Sequence, residues 1–404
     1  MNDAPPSRRS GASMCVSHSG SGFSRAAFLG ASAVAALPLF AEPARALDAM
    51  QKIAGSSALP PVPQGLSRAN ERAAYIAYAS PFVRAQYHAI RALAGSIGEA
   101  KMRAAGLALL DDPTPHYARR YPTPESRIAL RDAMARAGFV KPADPVAGIF
   151  PPGTERPGIV QPFWSTPGSA GDSHHAYPGG LLVHELFNAR MAEQFGKTYD
   201  GVYFDKRGAV DRDVVILAAL YHDVMKTVVF QYNDDGTFFQ ELNIGDTGGH
   251  HVLSGAEAIA RGHDARFVTV LLSAHAAPSL GDEKKVATWC AAAALLAGVD
   301  PFEYGLLKRD TSGASVLAVL PPLETFVNFL SDHDWVLGVH AAHEIRPYLD
   351  ALAPKYDVRP GDASGLAWWR LSVTSNASII ALYHELTKGE PAFAAAVAES
   401  RRLE

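Results

Sequence analysis

Only two cysteines, Cys15 and Cys290, occur in 404 residues. That scarcity excludes a disulfide scaffold, so stability has to come from packing, metal or assembly. Charge is sparse as well, at 19% of residues, and Lys plus Arg number 37 against 41 Asp plus Glu. Without a basic excess, binding to a long nucleic acid through its phosphates is not indicated. A Gly-x-Ser-x-Gly nucleophile elbow is missing, which removes the usual serine hydrolase arrangement. The Gly245 to Gly249 stretch lacks the Lys-Ser/Thr of a phosphate-binding loop and reads as a helix-entry turn. Alternation of β-branched residues is scarce, whereas Ala and Leu recur at helical spacing, so the chain is expected to be all-α.

The longest apolar run lies near the start, from Ala26 to Phe40. It is shorter than the roughly 20 residues a membrane span needs. Arg8, Arg9 and Arg25 precede it and Ala44-Arg45-Ala46 follows, which together read as an export signal cut after Ala46. Ser24-Arg25-Ala26-Ala27-Phe28-Leu29-Gly30 is similar to a degenerate twin-arginine signal, with Ala26 at the second arginine; a general secretory signal, or a membrane anchor that stays uncleaved, is the alternative. The exported, periplasmic chain expected from this has no stable membrane span. Four basic residues (Arg8, Arg9, Arg25, Arg45) and two acidic ones (Asp3, Glu42) fall in the leader, so its removal deepens the acidic balance. Cys15 goes with it, leaving Cys290, flanked by Trp289 and four alanines, as a buried small residue.

Beyond the leader, the pattern predicts an N-terminal helical region and linker over 47–164, a central unit over 165–310 and a C-terminal helical region over 311–404. Helices are expected over Arg68 to Gly106, divided near Pro81, and over Pro124 to Ala137 behind Thr123 as N-cap. Further helices are expected over Gly179 to Phe195, Asp211 to Lys226, Gly249 to Arg261, Ala265 to Ala274 and Glu283 to Leu296. The C-terminal region adds Glu324 to Leu330, Val336 to Leu352, Leu366 to Thr387 and Pro391 to Arg401. Aromatic and β-branched residues on both sides of Asn233-Asp-Asp-Gly236 predict a short strand pair, Thr227 to Tyr232 with Gly236 to Glu241.

Chemistry concentrates in the histidines. His222 and Asp223 end the apolar stretch Leu-Ala-Ala-Leu-Tyr, with His184 before them and His251 and His275 after; Asp300 closes the set. From Asp223 onward the steps are 28, 24 and 25 residues, each about one helix and its connection. Successive helices can then present one ligand each to a shared centre. Imidazole suits Zn, Fe, Ni and Mn, and a carboxylate such as Asp223 can bridge two ions. Lys226 follows His222 by four residues and Asp223 by three, on the same helix face. It either holds an anionic substrate oxygen or is a charge set against the helix dipole.

His174-His175-Ala-Tyr-Pro-Gly-Gly-Leu-Leu-Val-His184 resembles the His-His-x-x-x-Gly-Gly-Leu-Leu-x-His stretch of bacterial exoribonucleases of the HD superfamily, a group of metal-dependent phosphohydrolases. His222-Asp223-Val-Met-Lys226 is similar to the superfamily's His-Asp-x-Gly-Lys, with Met225 in place of glycine, and His251 with Gly255-Ala-Glu257 matches its third-helix pattern. The resemblance covers about residues 165 to 310 and implies an HD-domain helical bundle with added N- and C-terminal helices. It implies one metal on His184, His222, Asp223 and Asp300, and a second on Asp223, His251 and His275. His250 is the rival to His251, which fits the spacing; Asp300, followed by Pro301, is either a ligand or the end of its helix. His174 and His175 are either substrate contacts or turn histidines. Asp223 and Lys226 would carry the catalysis, with Arg119 or Arg120 assisting.

The implied activity is hydrolysis of a phosphate ester, a nucleotide or another small anionic molecule, by water activated on one or two divalent transition metal ions (Fe, Mn, Zn or Ni). The same ligand order also occurs in HD-fold di-iron oxygenases acting on small organic substrates. A non-catalytic, metal-stabilised binding protein is the third reading.

Overall fold

The computed structural model describes residues 59–154, 160–171, 173–206, 208–320 and 322–402. The expected export signal lies outside them. Among the described residues the chain is mainly helical, with two small antiparallel hairpins, and residues 49–404 cluster as one unit. No helix among them is long and apolar enough to cross a membrane.

Local chemistry sets the helix ends. Ser67 caps α1 (Arg68–Ala79) by accepting from the Asn70 N–H, and Ser80 caps α2 (Pro81–Gly95) by accepting from Val83 N–H with Pro81 at the first helical position. The expected break at Pro81 is therefore a change of helix. A second break at Ser96 to Glu99 separates off α3 (Ala100–Asp111), whose N-cap is Glu99. Thr123 and Ser126 form a capping box on α4 (Pro124–Arg136).

The central helices are α5 (Gly180–Tyr203), α6 (Arg212–Tyr221), α7 (Gly249–Ala260), α8 (Ala265–Leu272) and α9 (Glu283–Ala297). α6 is buried along Val214 to Tyr221, on every face, as expected of a helix enclosed by neighbours rather than an amphipathic surface one. Around it α2, α3, α5, α7, α8 and α9 contribute to one hydrophobic core. After the hairpin of β3 (Leu307–Arg309) and β4 (Ser315–Leu317) come α10 (Leu323–Ser331), α11 (Asp334–Leu352), α12 (Ala363–Ala377), α13 (Ile379–Leu386) and α14 (Glu390–Arg402). A second cluster, with Trp368, Trp369 and Phe393, joins α11 to α14 with α1. The buried Ser80 hydroxyl donates to the Ser375 carbonyl at 2.8 Å, tying α2 to α12.

Three expected elements differ. Thr227 to Tyr232 does not pair along its length as a strand: Lys226–Val229 is a short helical turn, and the pairing is confined to the bridge Tyr232 to Phe238 with the backbone bonds from Asn233 N–H to the Thr237 carbonyl and from Phe239 N–H to the Gln231 carbonyl. The true small pair nearby is β1 (Asn243–Ile244) with β2 (Thr247–Gly248). The helix expected over Leu366 to Thr387 is cut at Ser378, whose φ of 57° breaks α12 from α13 while its hydroxyl caps the next turn. The helix expected to reach Lys226 stops at Tyr221, so His222 and Asp223 lie at its C-terminal end.

Candidate metal centre

Five helix ends and connections converge. His184, Glu185 and Asn188 come from the first turns of α5; His222, Asp223 and Lys226 follow α6. His250 and His251 open α7, and His275 lies just past α8. Asp332 caps the C-terminal end of α10, and Asp334 opens α11. Two ligand groups form around Asp223. One holds His184, His222 and Asp223, with Asp332 beside His222; the other holds Asp223, His250, His251 and His275.

The carboxylate of Asp223 divides between them. Oδ2 lies 3.1 Å from His184 Nε2 and 3.4 Å from His222 Nε2; Oδ1 lies 3.2 Å from His250 Nε2 and 3.5 Å from His275 Nε2. Asp332 is placed in the same way, with Oδ1 at 3.1 Å from His184 Nε2 and Oδ2 at 3.4 Å from His275 Nε2.

The far side of each ring is held. His222 Nδ1 lies 2.7 Å from the Ala219 carbonyl, which only accepts, so that nitrogen carries a proton and Nε2 is the one turned toward Asp223. Glu185 Oε2, 3.0 Å away, reinforces this. Glu241 does the same for His250, with Oε1 at 2.5 Å from Nδ1. Asp334 Oδ1 stands 3.5 Å from His184 Nδ1. His251 differs: its Nδ1 meets the Thr247 hydroxyl at 2.6 Å, and its ring stacks on His275 with centroids 3.4 Å apart.

Charge explains the titration of the group. For His184, burial and the Lys226 charge work against protonation, but hydrogen bonds to Asp223, Asp332 and Asp334 win and hold it well above the usual imidazole range. His222 and His250 are raised as well, where nearby carboxylates outweigh burial. Burial dominates at His175 and His275, each lowered to about 4, and at His174 and His251, which are also held down. Burial opposes ionisation of Asp223, yet the charges of His222, Lys226 and His250 hold it well below the usual carboxylate range.

These residues fit a metal. Asp223, Asp332, Asp334, Glu185 and Glu241 place five carboxylates here, which, beside the ammonium of Lys226, draw His184, His222 and His250 toward the charged form. Burying so many carboxylates is costly without cations to match them, and metal ions on the imidazole nitrogens would take the place of those protons. His222 Nε2 and both oxygens of Asp223 are buried and face the interior of the cluster, and imidazole rings steered by carboxylates on their other nitrogen are the usual form of metal-ligating histidine.

Of the expected residues, His184, His222, Asp223, His251 and His275 come together. His250, second to His251 on spacing, is the one buried against Asp223. Asp300 is not brought to the cluster. It is exposed, and its Oδ1 accepts from the Phe302 and Glu303 N–H groups at 2.8 and 2.9 Å, turning the chain after α9. Asp332 stands in its place. Sequence spacing missed it because the β3–β4 hairpin intervenes, more than doubling the step from His275; Glu185, Glu241 and Asp334 were missed too. Arg120 packs over Gly298 at the end of α9 rather than at the cluster, and Arg119 is exposed.

Lys226 is buried; its ammonium donates to the Gly168 carbonyl at 2.6 Å and pairs with Asp223. The helix-dipole alternative does not describe it, since Lys226 starts a turn rather than ending one. The glycines of the His-His-x-x-x-Gly-Gly motif also have a physical reason. Gly179 takes φ of 89°, and a Cβ on Gly180 would fall 1.8 Å from the His175 carbonyl oxygen. Together they press the 173–177 loop onto α5, which brings His174 and His175 within ligand distance of His184. His175 Nε2 faces Asp334 Oδ2 at 3.6 Å.

No protein family model matches the chain, and no solved structure matches it. Over 104 residues, 25% of its length, the chain is 31% identical to a dihydroneopterin 2',3'-cyclic phosphate phosphodiesterase of Methanocaldococcus jannaschii. The match spans 39% of that protein.

Proposed function

We propose that the chain is an HD-type, metal-dependent hydrolase of phosphate esters, acting on a small anionic substrate and most readily on a diester. The observation that carries this reading is the divided carboxylate of Asp223, with imidazole Nε2 atoms facing each oxygen. The partial similarity to a phosphodiesterase points to the same bond. Divalent metal held here would polarise the phosphoryl oxygens and lower the pKa of a bound water.

His184, His222, Asp223 and Asp332 would hold one ion; Asp223, His250 and His275 a second, with His251 beside them. Glu185, Glu241 and Asp334 keep the imidazole rings turned with Nε2 inward. Lys226 neutralises Asp223 and, through Gly168, fixes the loop that carries His174 and His175. Those two rings, held neutral by burial, border the cluster as hydrogen-bonding partners for a substrate oxygen. The proposed metal-binding segment therefore runs from about 165 past 310 to Asp334. Export to the periplasm is part of the proposal and rests on the pattern of residues 1–46.

The test is cleavage of bis(p-nitrophenyl) phosphate and of a 2',3'-cyclic nucleotide by protein loaded with Mn, Fe, Zn or Ni. Metal-dependent release that a chelator abolishes supports the reading. Absence of cleavage with every metal would overturn it, and oxygen consumption on an organic substrate would replace it with the oxygenase reading.

A further inference from the structure

A cavity of about 720 Å³ lies between the Phe230 to Glu241 segment and helices α11 and α12. That size is typical of small-molecule sites. It lies beside the histidine cluster: Ser173 Oγ, on one wall, is 3.1 Å from His174 Nδ1, and the Phe230 ring centroid, on another, is 5.5 Å from that of His250. A molecule whose phosphate sits at the cluster therefore has this space for the rest of its body.

The charges of the lining are matched within the protein. Arg370 is forked onto Asp350 with both contacts at 2.6 Å, Arg346 lies beside the same carboxylate with a partner of its own, and Glu241 Oε1 stands 2.5 Å from His250 Nδ1. Three of its hydroxyls are engaged as well. Thr374 donates to the Arg370 carbonyl at 2.8 Å, Thr237 donates to the Asp235 carboxylate at 2.6 Å, and Ser173 meets His174. A ligand group that gave up its hydrogen bonds to water here would find few replacements, which is costly.

What the cavity does offer is carbon. Phe230, Phe238 and Phe239 form one side, and Ile345, Leu349 and Leu371 stand on the helical side. Phe239 is 43% exposed, apolar surface that a ligand would withdraw from water. We infer that this cavity takes the non-reacting body of the substrate and that this body is uncharged and apolar, an alkyl or aryl group. Resting on the phosphohydrolase reading, the inference narrows the substrate to phosphodiesters of hydrophobic alcohols. A nucleotide fits less well, because its base and ribose bring hydrogen-bonding groups to walls with few partners for them. Each methylene that enters is worth about two- to fourfold in binding.

Cleavage of p-nitrophenyl methyl phosphate, p-nitrophenyl hexyl phosphate and the p-nitrophenyl ester of thymidine 5'-phosphate by the metal-loaded full chain tests this, since the three share a leaving group. The hexyl ester is expected to show kcat/KM at least about 30-fold above the methyl ester, from five added methylenes, with the thymidine ester below the hexyl ester. Phe239→Ser is expected to shrink the hexyl advantage by at least about threefold, with metal content unchanged. Equal kcat/KM for the hexyl and methyl esters, a preference for the thymidine ester, or an undiminished hexyl advantage in a folded Phe239→Ser protein would overturn the proposal. Calorimetric titration with hexylphosphonate and methylphosphonate reads the pocket without turnover. Tighter binding of hexylphosphonate with no ester cleaved sinks the hydrolase reading alone; cleavage with no dependence on chain length in either assay sinks the pocket alone.

Discussion

Glu185 follows His184 directly in the chain, yet its carboxylate serves a different histidine: Oε2 lies 3.0 Å from His222 Nδ1. On a helix, adjacent residues point about 100° apart, so one dipeptide of α5 reaches into the cluster twice. His184 supplies a ring there, and Glu185 orients the ring that follows α6.

Glu185→Gln is therefore expected to weaken metal binding by about 10- to 100-fold while the fold persists. Competition titration against a chelator measures it. Unchanged affinity would mean that Glu185 is only a buried partner of His222.

Asp332 and Asp300 separate cleanly. Asp332→Asn is expected to lose metal from the His184 and His222 side, whereas Asp300→Asn retains the metal content of the wild type, because Asp300 only caps its own turn. Metal analysis of the two purified variants decides this, and the reverse pattern would restore Asp300 to the ligand set.

Much of this cluster was legible in the sequence. The His222-Asp223 pair and His275 sit where apolar helical runs end, and the one-helix spacing leads from one to the other, while His184 is carried by the His-His-x-x-x-Gly-Gly-Leu-Leu-x-His stretch. The last aspartate was not legible, since regular spacing cannot count an inserted hairpin. Spacing favours His251 over His250 and gives no sign that His250 faces Asp223 as well; that depends on Glu241, which reaches His250 from a segment whose path the turn signals did not define. The strand pair expected there failed because Lys226 and Thr227 are drawn into a helical turn by burial against the cluster and core, overriding β propensity.

Glu257, the last residue of the His-x-x-x-Gly-Ala-Glu pattern, plays a structural part. It is fully buried, pairs with Arg261, and accepts from the His116 N–H at 2.6 Å and the Tyr117 N–H at 3.2 Å. Glu257→Ala would leave those N–H donors unpaired and take from the Arg261 guanidinium its carboxylate, leaving it the Asp112 and Thr114 carbonyls, for an expected loss of about 3–5 kcal/mol. Urea denaturation at neutral pH reads this directly.

His263 provides a pH signature away from the metal cluster. Burial lowers its pKa to about 4, with its ring stacked on Phe267 at 4.3 Å. The unfolded chain takes up this proton near pH 6.5 and the folded chain near 4. Its contribution to stability is therefore complete above pH 6.5 and is lost as pH falls toward 4. In His263→Phe the drop in stability between pH 7 and pH 4.5 is expected to be smaller than in the wild type, measured by denaturant titration at each pH. An identical drop would show that His263 does not contribute to acid sensitivity.

The bridging of two ligand groups by Asp223 is tested most directly by metal stoichiometry. Mass-spectrometric metal analysis of the wild type, loaded and then freed of loose ions, is expected to give two equivalents per chain, with both lost in Asp223→Ala while helical content by circular dichroism is retained. A folded Asp223→Ala protein that keeps its full metal content would contradict a centre built on that carboxylate.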